Sequence, residues 1–110
     1  MKIETRELKH VTIVKVSGRV DSATAPELEK ALHDLVQGDR NQVVLELQET
    51  EYMSSAGLRV LVTSLKTAKK NGGDLRLAQP SQRVKEVLEL AGLLPVFQVY
   101  ADLIEAVGSF

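Results

Sequence analysis

The segment Met53-Ser54-Ser55-Ala56-Gly57 puts a serine hydroxyl two residues before a glycine, where an apolar strand pattern gives way to a helical one. Three kinds of chemistry use a serine so placed. The nucleophile elbow of α/β-hydrolases needs a glycine two residues before the serine as well, and Met53 occupies that position. That fold also orders its triad serine, acid, histidine, whereas His10 and His33 both precede Ser55. Triads of other chain order exist, so histidine order weakens a hydrolase reading and the missing glycine weakens it further. The second use is structural: a serine oxygen that accepts a free N–H of the first helical turn contributes about 1 kcal/mol as an N-cap. The third is modification. The free N–H groups and dipole of a helix start favour an anion, and a phosphoryl group there adds about −1.5 to −2 charges at neutral pH. One serine satisfies the cap and the segment has two, so cap and switch both stand on the residues.

The remaining chemical candidates are sparse. His10 and His33 lie on separate elements with no third histidine and no cysteine, too few ligands for a transition-metal site. Gly18 and Gly72-Gly73 belong to no phosphate-loop or dinucleotide fingerprint; Gly72-Gly73 reads as a helix terminator and turn. No cofactor is therefore expected. A formal net charge of −1, with acids and bases mixed, provides no basic field for nucleic acid. The absence of cysteine suits a reducing compartment. A charged N-terminus and the lack of any apolar run near the roughly 20 residues of a membrane span give the expectation of a cytoplasmic protein without membrane insertion.

The elements that must position Ser55 follow from periodicity. Lys2 to Leu8 and Val11 to Val16 alternate as two strands of a hairpin. Thr24 with Glu27 fits a capping box, Pro26 suits a first helical turn, and Leu28, Ala31, Leu32, Leu35 and Val36 repeat at helical spacing as far as Gly38. Val43-Val44-Leu45 and Leu47 read as a strand covered on both faces, in the middle of the sheet. A second helix runs from Ser55 through Leu58, Leu61, Val62, Leu65 and Ala68. Leu75 to Ala78 is a strand, Pro80-Ser81 opens a third helix ending at Gly92, Val96 to Val99 is a last strand, and Leu103 to Val107 a final helix. The order β-β-α-β-α-β-α-β-α specifies one α/β domain over residues 1–110, with helices over a mixed, mostly parallel sheet of about five strands and four helices.

Several stretches, in this order, resemble the anti-sigma factor antagonist family, the STAS domains. Gly18-Arg19-Val20-Asp21 followed by Thr24-Ala25 and Leu28 is similar to the family's Gly-x-x-Asp segment, and Val43 to Leu47 to its central strand. Tyr52-Met53-Ser54-Ser55-Ala56-Gly57-Leu58 resembles the signature Met-Asp-Ser-Ser/Thr/Ala-Gly-Leu, while Gly72-Gly73-Asp74-Leu75 and Leu90-Ala91-Gly92-Leu93 fall where the family has them. The resemblance implies a small α/β domain and, in signalling members, phosphorylation of the serine corresponding to Ser55. The kinase is the anti-sigma factor itself; the unphosphorylated antagonist binds it and frees sigma, and a serine phosphatase restores the binding form. ATP and Mg²⁺ then belong to the partner. One position departs from the signature: Ser54 replaces the usual aspartate, removing a fixed charge beside the acceptor, and it reads as the helix cap.

The resulting expectation is a partner-switching antagonist that is no enzyme and is monomeric alone. Ser55 is its phosphoacceptor, and Asp21, Ser54, Ala56, Gly57, Leu58, Arg59 and Val60 are its partner-binding residues. In this reading Gly57 lets the partner approach the backbone, and Val60, off the main apolar stripe, is exposed, the alternative being that Val60 faces a neighbouring helix. The rival reading is a non-switching subunit docked permanently in a stress-signalling or lipid-transport complex, with Ser54-Ser55 serving only as a cap.

Overall fold

A run rich in β-branched residues makes the longest strand of the chain, and the rest of the sheet assembles on it. The computed structural model describes residues 1–110. Strand β1 (Lys2–Glu7) turns back into β2 (Thr12–Val20), antiparallel, with Ile3 opposite Val16 and Arg6 opposite Ile13. Helix α1 (Ala25–Val36) leads to β3 (Gln42–Glu46), which lies parallel to β2, and after three connecting residues comes β4 (Thr50–Met53). Helix α2 (Ser55–Lys70), β5 (Asp74–Ala78), α3 (Gln82–Leu90), a 3₁₀ turn (Leu94–Val96), β6 (Val99–Tyr100) and α4 (Leu103–Gly108) complete the chain.

The sheet order is β1-β2-β3-β5-β6, so β3 is central as its apolar run implies. Residues 12–15 of β2 pair with β3, and its residues 18–20 pair in parallel with β4. Strand β4 thus continues β3 along the same neighbour after a bulge, where the register shifts between Gly18 and Arg19. Sequence periodicity misses β4, because Thr50-Glu51-Tyr52-Met53 is four residues long with only its two ends buried. The sheet accordingly has six strands where about five are expected. The expected strand at Val96 to Val99 is also displaced: Pro95 lies in the first turn of the 3₁₀ helix, and pairing begins only at Val99.

One face of the sheet carries the main core. Val14, Val16, Val20, Val43, Leu45, Leu75 and Leu77 meet Leu28, Leu32 and Val36 of α1, Leu61, Leu65 and Ala68 of α2, and Val84 and Leu88 of α3. Phe97 is its one buried aromatic side chain, so the core is aliphatic as the composition implies. On the opposite face α4 covers a smaller cluster of Val11, Val44 and Ala78 through Ala106, with Leu103 and Val107 packed against it. Beyond it the cross-strand row Glu4, Lys15, Glu46 leaves the sheet charged, and Lys15 pairs with Glu49. No helix is long and apolar enough to cross a membrane.

Candidate functional site

Strand β4 matters to the site because it aims the start of α2. Its last residue, Met53, sits opposite Val20, and the Ser54 N–H donates to the Val20 carbonyl at 2.8 Å. The segment after β2 and the first turn of α2 therefore lie side by side. Ser54 is extended (φ −86°, ψ 175°), and its Oγ accepts from the Gly57 N–H at 3.5 Å, a long cap bond. Its carbonyl also accepts from Leu58 N–H at 3.0 Å, which starts the helical ladder. Ser55 is the first residue of this 16-residue helix, exposed, and its hydroxyl makes no hydrogen bond. The two serines thus divide the tasks, with Ser54 in the cap geometry and Ser55 free. No acid occupies the first turn of α2, so the positive end of its dipole is uncompensated.

Asp21, placed beside this helix start, is held internally. Its Oδ1 accepts from the N–H groups of Ala23 (3.0 Å) and Thr24 (3.1 Å), while Thr24 Oγ1 accepts from Asp21 N–H at 2.9 Å and donates to the Arg19 carbonyl at 3.1 Å. The capping box expected of Thr24 and Glu27 does not form. The Thr24 hydroxyl is spent on closing this loop, and no side chain caps α1. The Thr24 amide, followed by the Ala23 amide, the Thr24 hydroxyl and the nearby Arg19 charge, holds the Asp21 carboxyl below the usual carboxylate range against the opposing effect of desolvation. A depressed folded-state pKa means that its contribution to stability is complete above the unfolded value of about 3.9 and is lost as pH falls through the folded value. Carbon-13 carboxyl titration is expected to give Asp21 a midpoint below 3.9. A midpoint at or above that value would contradict the hydrogen-bond arrangement.

The other candidate residues separate by burial. Ser54 and Ala56 are half-buried, and Arg59 is exposed and takes part in none of the ion pairs. Leu58 and Val60, in contrast, are only 7% and 4% exposed and belong to the main core. The expectation of an exposed Val60 is wrong, because α2 buries a face wide enough to include it against the sheet and α1. Gly57 is buried too. A Cβ there would lie 2.8 Å from both Met53 Cγ and Val20 Cγ1, so the glycine is required for α2 to close onto β2 and β4. Internal packing explains it.

Two residues of the surface were not singled out from sequence. The Arg19 guanidinium lies 4.4 Å from the centroid of the Tyr52 ring, a cation–π pair next to the helix start. Their juxtaposition follows from the β2–β4 register, which sets Arg19 opposite Tyr52. Without β4 no sequence signal joins them. His10 and His33 are both exposed, one in the hairpin turn and the other in α1.

The structure is thus one α/β domain with helices on both faces of a mixed sheet and an exposed, unbonded serine at the start of α2. The chain belongs to the STAS domain family, which residues 2–106 match. BtrV of Bordetella bronchiseptica, named as a candidate anti-sigma factor antagonist, is 34% identical over 110 residues, covering 100% of this chain and 95% of that protein. The anti-sigma-B factor antagonist of Staphylococcus aureus is 32% identical over 99 residues, 90% of this chain and 92% of the relative. The crystal structure of an anti-sigma factor antagonist from Mycobacterium paratuberculosis superposes with a TM-score of 0.88 at 27% identity, over 98% of this chain and 92% of that one. The mixed sheet and four helices are the fold of these antagonists, which are regulatory binding proteins.

Proposed function

We propose that this chain is a partner-switching antagonist: it binds an anti-sigma factor of the serine-kinase type while Ser55 is unmodified and releases it when Ser55 carries phosphate. The observation that carries this reading is the division of labour at the helix start. Ser54 supplies the cap, which leaves an exposed, unbonded Ser55 hydroxyl at the first position of α2. Its family membership, and relatives named as anti-sigma factor antagonists, support the choice of partner. ATP and Mg²⁺ belong to that kinase, and a serine phosphatase completes the cycle. The recognition surface consists of Ser54, Ser55, Ala56 and Arg59 on α2, with Asp21 beside them. Arg19 and Tyr52 form its border.

The absence of aspartate at position 54 does not remove the acceptor, since the charge that position normally supplies is outside the serine itself. Incubation with the cognate kinase and ATP is expected to add one phosphate. Ser55→Ala should abolish it, whereas Ser54→Ala should leave most of it and cost about 0.5–1 kcal/mol of stability, because the cap bond is long. Phosphate found by mass spectrometry only on Ser54 would contradict the assignment and favour a permanently docked subunit.

A further inference from the structure

We infer that Arg59 is the receptor for the Ser55 phosphate within the same helix, a positioning residue that draws the phosphate along the surface of α2 and keeps it dianionic. The inference rests on Ser55 being the modified residue. Ser55 and Arg59 stand four positions apart on α2, where side chains share a face with Cβ atoms about 5–6 Å apart. The order also has the favourable sense, with the anion N-terminal to the cation. Position 58, the other helical neighbour of Ser55, is Leu58, buried in the core. Arg59 is thus the cation of this helix turn that can reach the phosphate.

Arg59 is also free to do so. It is exposed and forms no ion pair, whereas Arg19 is stacked on Tyr52, Arg76 on Phe110 and bonded to Asp74, and Arg40 is bonded to Thr12. A guanidinium offers paired N–H donors that match phosphate oxygens, and such charge-assisted bonds are the stronger kind. The charged groups on the segments that pack against α2 toward its start are Arg19 and Asp21 at and just after the end of β2, Glu51 on β4, and Glu27, Glu29 and Lys30 in the first half of α1. Asp21 and Glu51 oppose a second negative charge on the phosphate and Arg19 favours it. None of these changes when Arg59 is replaced, so a comparison of Arg59 variants isolates its own effect.

The test uses the full chain with phosphoserine incorporated at position 55 by genetic code expansion, followed by phosphorus-31 NMR as a function of pH. The second ionisation of a phosphoserine lies near 6. Arg59→Gln is expected to raise the midpoint by about 0.15–0.4 pH units relative to the Arg59 protein, the size that one added charge facing an exposed i,i+4 cation gives. Arg59→Lys should recover at least half of that difference. Equal midpoints for the Arg59 and Arg59→Gln proteins would overturn the assignment, as would an Arg59→Lys protein that behaves like Arg59→Gln. The phosphate is installed without a kinase, so failure of the kinase to modify Ser55 would sink the functional proposal while leaving this result readable.

Discussion

A chain carrying Gly73→Ala is expected to lose about 3 kcal/mol of unfolding free energy, at the upper end of what overpacking costs. Helix α2 ends with Gly72 at φ +85°, the Gly72 N–H on the Lys69 carbonyl (3.2 Å) and the Gly73 N–H on the Ala68 carbonyl (2.8 Å). This is the paired C-terminal arrangement that stops a helix on a left-handed glycine. Gly73 is then pressed against the neighbouring segment, where an added Cβ would lie 2.1 Å from the Asn41 carbonyl oxygen and 2.6 Å from its carbonyl carbon. The obstacle is backbone. Asn41 cannot retreat cheaply, because its carbonyl accepts from Asp74 N–H (3.1 Å) and its side chain donates to the Asn71 carbonyl (2.6 Å). Gly72→Ala meets open space and should cost only the left-handed penalty, about 1–2 kcal/mol. Urea denaturation of the two variants separates these causes, and equal midpoints would show that the collision is not the determining one.

Modification of Ser55 is expected to change binding by a large factor and folding by almost nothing. The hydroxyl is exposed and bonded to nothing, so a phosphoryl group displaces no core atom and breaks no hydrogen bond. The added charge sits at the positive end of α2, whose first turn has no acid to repel it. Stability should therefore change by less than about 1 kcal/mol, the ordinary range for surface substitutions away from structural features. At a docked interface the same charge must be desolvated or placed against partner groups arranged for a neutral hydroxyl. Mismatches of that kind typically cost about 2–5 kcal/mol, about thirtyfold to several thousandfold in affinity. Ser55→Asp should imitate this only partly, because a carboxylate carries less charge than phosphate.

Much of this arrangement is legible in the amino-acid sequence, and the parts that are not depend on contacts between elements or on local competition that periodicity does not carry. The four helices announce themselves by apolar spacing and by residues such as Ser54, Ser81 and Gly92, whose cap and stop roles the structure bears out. The central strand is readable because Val43, Val44 and Leu45 are buried on both faces. Strand β4 escapes because a four-residue extension of a neighbouring strand has no period of its own; only its pairing with β2 defines it. The missing register of β4 hides two features of the site, and the width of a buried helix face hides a third. The Arg19–Tyr52 pair requires the β2–β4 register, and Gly57 requires contact with Val20 and Met53 across the same pair of strands. Val60 looks exposed on a narrow apolar stripe and is buried because sheet and helix close on α2 together. The Thr24 capping box fails for a different reason, since the neighbouring Asp21 competes for the same hydroxyl and amide.

The most direct measurement is the affinity of the kinase-type anti-sigma partner for this chain in two forms, unmodified and with phosphoserine installed at position 55, compared by titration calorimetry under the same conditions. The account predicts firm binding of the unmodified chain, a loss of at least about thirtyfold for the phosphorylated one, and closely matched thermal unfolding of the two proteins. Equal affinity of the two forms would contradict partner switching through Ser55 and leave this surface as a permanent docking site.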